Sequence, residues 1–203
     1  MTEGVAVGFH ANPLEASAIG KFAERFRPTI LLGTPSLLLA WARKIPPESF
    51  ASARWVIAGA EKLSDRIADF FEKRYGLRPY EGYGATECSP VVSVNVPDSD
   101  LEGFCQKGHR SGTVGMPLPN VRVRIVDPDT GEDRPTGEDG LIEVRGPNVF
   151  HGYLGNPEKS KDVLRDGWYR SGDIGHFDQD EFLTLTDRLS RFSKIGGEMI
   201  SHS

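Results

Sequence analysis

The stretch RWVIAGAEKLSDRIADFFEKRYGLRPYEGYGATE, Arg54 to Glu87, decides what fold to expect. RWVIAG is a short apolar run ending at glycine, as a buried strand does. LSDRIADFFEKRYG follows, with Ile67, Phe70, Phe71 and Tyr75 as its apolar stripe. Ser64 or Asp65 is placed to cap that helix and Gly76 to stop it. RPYEGYG then reads as the next strand. Strand, helix and strand within about 30 residues is the repeat of a parallel sheet. In such sheets ligands bind beyond the carboxyl ends of the strands. The tract GYGATE, Gly82 to Glu87, lies at such an end.

The same alternation extends upstream. TILLG reads as a buried strand, and Thr34 with Pro35 opens a helix carrying Leu38, Trp41 and Ile45. In NPLEASAIGKFAERF, Leu14, Ala18, Phe22 and Phe26 stand four apart, with Asn12 suited to a cap and Pro13 to a first turn. VAVGF, Val5 to Phe9, is strand-like. Downstream, from about Gly112, strands and turns replace helices. VRVRIV sets Val121, Val123 and Ile125 against two arginines, the alternation of a half-buried strand. DPDTGEDRPTGEDG is a turn-rich connection, LIEVRG a strand, and the segment from Asp166 onward two or three short strands joined by Gly/Asp turns. The expected class is α/β. Residues 1–110 form part of a parallel α/β subdomain, and residues 111–188 a small antiparallel, barrel-like subdomain. A polar, irregular segment from Val94 to Arg110 joins them.

Composition narrows the function. The chain has 203 residues, 38% of them hydrophobic, and a net charge of -5. That balance gives no electrostatic footprint for nucleic acid and no basic run for an anionic membrane surface. No apolar run reaches the ~20 residues of a membrane span, and the opening MTEGVAVGFHANPLEA lacks a signal-peptide layout. Cys88 and Cys105, with sixteen residues between them, read as two ordinary thiols in a reducing compartment. With only His109 nearby they make no metal site, and none of the five histidines has catalytic or metal-like spacing.

Three tracts carry residues suited to chemistry. In GYGATE, Gly82 and Gly84 let backbone approach a ligand closely. Tyr83 offers a flat face, Thr86 a hydroxyl for phosphate, and Glu87 a carboxylate for Mg²⁺, which prefers oxygen ligands. A tight strand-to-loop turn with an exposed acid accounts for the same residues. In YRSGDIG, Asp173 could accept from both hydroxyls of a ribose, or cap its own turn. In DRLSRFSKIGGEMIS, Arg188 could pair with ribose or phosphate, and Lys194 sits before a Gly-Gly pair as on a mobile loop; a basic hairpin explains these equally.

Taken together and in order, YGATE, YRSGDIG and DRLSRFSKIGGEMIS resemble signatures of the adenylate-forming superfamily: acyl-CoA synthetases, luciferases and peptide-synthetase adenylation domains. TILLGTPSLL and AGAEKLSD are similar to weaker family segments. KIGGEMIS and FHANPLEASAIGKFAERFRPT look most like the branch of acyl–acyl-carrier-protein synthetases and the synthetase domain of 2-acylglycerophosphoethanolamine acyltransferase. The resemblance implies roles. Tyr83 would stack on adenine, with Gly59, Ala60 and Glu61 lining the adenine and acyl pocket. Thr86 would hold the α-phosphate region, Glu87 the Mg²⁺, and Asp173 the ribose hydroxyls, with Arg188 on ribose or phosphate. Ser190 falls at the hinge, where family members carry Asp or Lys, so residues 189–203 would start a mobile carboxyl-terminal domain. Lys194 would serve the thioester step. The substrates implied are ATP and a fatty acid. The acceptor is the pantetheine thiol of coenzyme A or acyl carrier protein, and the setting is the cytoplasm, with the parent protein peripheral to the inner membrane.

The chain also departs from the pattern. It has neither the family's Ser/Thr/Gly-rich phosphate loop nor a GxxxxGK[ST] to replace it, and Lys194 does not match the family's adenylation lysine. The expectation is therefore a central portion of a ligase, incomplete alone and prone to self-association through uncovered surfaces. The alternatives are a nucleotide- or acyl-adenylate-binding module without turnover, or an inactive remnant.

Overall fold

The structure is a computed structural model. It describes residues 4–101, 103–189, 192–195 and 198–201. The chain divides into two compact units, Met1–Glu81 and Gly82–Ser203.

The first unit holds helix α1 (Ala16–Phe26), strand β1 (Ile30–Gly33), helix α2 (Pro35–Lys44), a 3-10 turn (Pro47–Phe50), strand β2 (Trp55–Ala58), helix α3 (Asp65–Tyr75) and the first half of strand β3 (Pro79–Gly84). β1, β2 and β3 pair in parallel, with Ile30 beside Trp55 and Val56 beside Pro79. α2 starts as its sequence dictates: Thr34 Oγ1 accepts from the Leu37 amide at 3.3 Å, and Pro35 fills the first turn, where no amide partner is needed. α3 ends at Gly76 in the left-handed region. Leu38, Ile45, Phe50, Val56 and Phe71 are at most 1% exposed and form the core. The Tyr75 hydroxyl donates to the Trp41 and Ile45 carbonyls, each at 3.0 Å. The Ile45 carbonyl lies past the end of α2 and has no intrahelical partner, whereas the Trp41 carbonyl also accepts from the Ile45 amide at 2.8 Å.

Two expectations for this unit change. Residues 5–9 form no strand; Val5 and Phe9 are 61% and 85% exposed. A short apolar run becomes a strand only where another strand completes its hydrogen bonds. α1 begins at Ala16, not after Asn12, whose side chain instead holds a turn by accepting from the Leu14 amide at 3.1 Å. Its buried face is Ala16, Gly20 and Ala23, while Leu14 and Phe26 of the anticipated stripe are exposed. Close approach selects the small residues: a Cβ on Gly20 would lie 3.2 Å from Ile45 Cγ2.

The second unit begins within β3. Gly82, Tyr83 and Gly84 pair antiparallel with β4 (Val91–Val94), after a 3-10 turn over Thr86–Cys88. Next come the hairpin β5 (Ser99–Leu101) and β6 (Phe104–Gln106), and β7 (Met116–Pro117), which pairs with β4. The main sheet uses β8 (Arg122–Val126), β9 (Gly140–Arg145), β10 (Leu164–Arg165), β11 (Trp168–Phe177) and β12 (Leu183–Arg188). Helix α4 (Pro157–Val163) precedes β10, and a hairpin of β13 (Phe192–Ile195) and β14 (Glu198–Ser201) follows β12. The sheet is antiparallel in the order β10–β11–β9–β8, with β12 also on β11. It is an open sheet, because β8 and β12 do not pair to close it into a barrel. The central strand β9 is buried from Gly140 to Val144, and its Glu143 accepts from Arg124 Nη2 at 2.8 Å.

The unit boundary falls inside β3, whereas the sequence places the join at residues 94–110. The hydrogen bonds explain this: β4 pairs with the end of β3 and with β7, so the polar connection belongs to the second unit's ladder. β11 also differs from the short strands expected there. One ten-residue strand runs straight through Ser171-Gly172-Asp173.

Candidate functional site

The passage of β11 through that tripeptide builds the site. Opposite β9, Arg170 pairs with Glu143 and Ile174 with Leu141, so Ser171, Gly172 and Asp173 stand against Ile142 alone. The extra residues form a bulge, a device that re-aims a side chain out of a regular ladder. Gly172 adopts φ +77, a conformation that costs glycine nothing. Ser171 Oγ donates to the Ile142 carbonyl at 2.8 Å and accepts from the Asp173 amide at 3.1 Å. The bulge is thus held by its own serine, and Asp173 is fixed at its end.

Asp173 is 7% exposed and has two described partners. The Tyr83 hydroxyl donates to Oδ2 at 2.7 Å, and Arg188 Nε donates to Oδ1 at 2.9 Å. The sheet register explains the second contact, since Asp173 and Arg188 face each other across β11 and β12. Burial and the Asp173 charge push the Tyr83 hydroxyl far above its ordinary pKa, so it stays a donor. A carboxylate has about four acceptor positions, so these two bonds leave room for hydroxyls of a ligand. A cavity of about 390 Å³ opens beside the bulge, lined by Ser171, Gly172, Arg188 and Leu189.

A second cluster centres on Glu87. Its Oε1 accepts from the Tyr153 hydroxyl at 2.7 Å, and its carbonyl accepts from the Phe150 amide at 2.8 Å. The Tyr153 bond holds the carboxyl below the usual carboxylate range, against the opposing effect of burial. The reciprocal effect pushes the Tyr153 hydroxyl up to about 12. Tyr169 is raised as well, first by burial and then by the Glu87 charge. Thr86 is exposed at the start of the 3-10 turn. Among the described residues no three His, Cys, Asp or Glu side chains converge as a metal cage. Mg²⁺ needs no such cage, because it is commonly held by one or two carboxylates with substrate phosphates and water. A single ionised Glu87 fits a cation delivered on a nucleotide.

The structure therefore brings Tyr83, Asp173 and Arg188 into direct contact, and it shows Glu87 held by tyrosine. Gly82 and Gly84 flank Tyr83 on the same strand. In the first unit, Glu61 is engaged at the start of α2, where its Oε2 accepts from Ser36 Oγ at 2.5 Å and the Ser36 amide at 3.2 Å. Those bonds hold its carboxyl below the ordinary range. Ala60 takes φ +68, and the Gly59 amide bonds the Gly33 carbonyl. Lys194 lies on β13 opposite Met199, and Ser190 lies outside the described residues. Ser171 and Tyr153 escaped the sequence reading. SGD offered a local hint of the first; nothing near Tyr153 in sequence signals a partner 66 positions away.

Cys88 packs beside this cluster with no exposed surface, and burial, reinforced by the Glu87 and Asp173 charges, pushes its thiol up to about 12. Since the thiolate is the reactive form, a thiol reagent is expected to label one equivalent quickly in the native chain, at the exposed Cys105. Cys105→Ser should abolish that fast phase, with Cys88 reacting only on unfolding. A fast phase surviving in Cys105→Ser would contradict the buried placement of Cys88.

A family profile described as AMP-binding enzyme matches residues 1–154. Over 188 aligned residues the chain is 35% identical to a long-chain-fatty-acid–CoA ligase of Yersinia pestis, covering 92% of this chain and 32% of that protein. The ATP-bound structure of MatB from Rhodopseudomonas palustris superposes with a TM-score of 0.77 at 30% identity, covering 92% of this chain and 36% of the other. The anthranilate CoA ligase AuaEII, solved with anthranoyl-AMP, gives 0.79 at 25% identity, covering 95% and 36%. The chain spans about a third of the length of these relatives.

Proposed function

Because the chain belongs to the AMP-binding enzyme family, we propose that it carries the ribose and metal contacts of a ligase that activates a fatty acid as its acyl-adenylate. One observation carries the reading: a serine-locked bulge holds a nearly buried carboxylate, Asp173, between Tyr83 and Arg188, and its neighbours Ser171, Gly172 and Arg188 line an open surface depression. Two adjacent ribose hydroxyls are donors that a charged carboxylate binds well. Arg188, with its side chain 68% exposed, stays solvated when it turns from Asp173 toward a phosphate, and the ribose hydroxyls would then take its place on the buried carboxylate.

In this reading a fatty carboxylate attacks the α-phosphorus of ATP, and the bond to the β,γ-pyrophosphate breaks. The protein's share is positioning and charge stabilisation. Asp173 fixes the ribose, Thr86 faces the α-phosphate, and Glu87 orients the nucleotide's cation. Bound Mg²⁺ would neutralise charge on the transferring group. A pantetheine thiol then attacks the acyl carbon and AMP departs. The names of the relatives favour coenzyme A as acceptor; an acyl carrier protein presents the same thiol. Lys194 serves this second step and Ser190 the hinge. These two roles rest on the resemblance, as does lining of the adenine and acyl pocket by Gly59, Ala60 and Glu61. The whole reaction belongs to the longer protein.

Calorimetric titration with a non-hydrolysable long-chain acyl-adenylate analogue tests the reading. The chain is expected to bind it saturably, in the micromolar range or tighter. A folded chain that releases no binding heat across several temperatures would overturn it.

A further inference from the structure

We propose that Tyr153 is a positioning residue that fixes the Glu87 carboxylate for a divalent cation carried by a nucleotide. The proposal rests on the function just given. Glu87 sits on a short 3-10 turn, which by itself leaves a glutamate free to rotate. The Phe150 amide fixes its backbone, gripping the carbonyl at 2.8 Å, and the Tyr153 hydroxyl fixes its side chain, gripping Oε1 at 2.7 Å, with the Tyr169 hydroxyl as a further donor to the carboxylate.

Tyr153 is anchored in turn. Its amide donates to Ser160 Oγ at 2.8 Å, and Ser160 Oγ donates to the Asn156 carbonyl at 2.8 Å. Asn156 caps α4, its Oδ1 accepting from the Lys159 amide at 3.1 Å. The Tyr153 ring packs edge-on against Phe150, with centroids 4.9 Å apart, and Lys159 Nζ lies 4.7 Å from its centroid. The first turn of α4 therefore sets where the hydroxyl points, and the hydroxyl sets where Glu87 points. A hydrogen bond that satisfies one carboxylate oxygen directs the other toward a cation. Such supporting partners commonly matter 10–100-fold for metal affinity.

The test uses the whole chain and Mn²⁺ as a spectroscopic stand-in for Mg²⁺. Affinity for ATP is measured with and without Mn²⁺, and bound Mn²⁺ is followed by electron paramagnetic resonance. Tyr153→Phe is expected to lose roughly tenfold in Mn²⁺-dependent affinity while metal-free ATP binding stays within twofold. Glu87→Gln should abolish the Mn²⁺ dependence, and adding Tyr153→Phe to it should cost nothing more. Ser160→Ala, which keeps the phenol, should shift Mn²⁺-dependent affinity in the same direction by less. A Tyr153→Phe chain with undiminished Mn²⁺ dependence would overturn the proposal alone. Equal losses with and without metal would also overturn it, as the mark of a structural role. A wild-type chain that binds ATP in neither condition would sink this proposal together with the function it rests on.

Discussion

Asp173→Ala is expected to weaken acyl-adenylate binding by about 10- to 100-fold. A hydrogen bond to a charged group is worth about 1.5–3 kcal/mol, and each 1.4 kcal/mol is tenfold in affinity. Two ribose hydroxyls depend on this one carboxylate in the proposed site. The substitution should also lower stability by about 1–3 kcal/mol, because it strips the buried Tyr83 hydroxyl of its acceptor 2.7 Å away. Arg188 is mostly exposed, so its loss of a partner adds little. Asp173→Asn separates the two effects. An amide oxygen still accepts from Tyr83, so urea stability should recover most of the loss, while binding stays impaired because the charge is gone. Unchanged affinity in a folded Asp173→Ala chain would remove the ribose role.

Gly115→Ala should cost about 2–5 kcal/mol in urea unfolding. Gly115 has φ +81, and an added Cβ would lie 2.1 Å from the Val94 carbonyl carbon and 2.2 Å from the Asn95 amide nitrogen. Both are backbone atoms, so no rotamer change relieves the clash. Its carbonyl accepts from the Leu183 amide at 2.9 Å, and the Leu183 carbonyl accepts from the Val114 amide at 2.8 Å, so a shift here pulls on β12, the strand carrying Arg188. The left-handed conformation alone costs an alanine about 1–2 kcal/mol, and overpacking adds about 1–3 kcal/mol. Gly112→Ala is the control. Gly112 has φ +79 with nothing within 4 Å of the added atom, so only the conformational cost applies. Equal losses at the two positions would show that the close approach at Gly115 is not real.

The helix punctuation was legible because it is local. Thr34 before Pro35 starts α2, and Gly76 ends α3. The start and buried face of α1 were not legible because two stripes, offset by two residues and each with roughly helical spacing, compete in one segment. Hydrophobicity favours the bulky Leu14, Phe22 and Phe26, whereas packing beside Ile45 favours Ala16, Gly20 and Ala23. The Ser-Gly-Asp tract looked like a turn because glycine and aspartate punctuate turns. Only the partner strand reveals a bulge, and β9 lies some thirty positions upstream. The grouping of Tyr83, Asp173 and Arg188 followed from the resemblance, but their mutual bonds did not. A tyrosine expected to present its face to a base proves to be 8% exposed, with its hydroxyl committed to the aspartate. The clasp on Glu87 had no local signal at all, since it depends on how α4 turns the chain back.

The most direct test of the ribose-site account is amide chemical-shift mapping of the isotope-labelled chain during titration with AMP. The account predicts saturable shifts concentrated at residues 82–88, 171–175 and 188, and their loss in Asp173→Ala. A well-folded spectrum in which AMP shifts none of these residues, or shifts a different surface saturably, would contradict it.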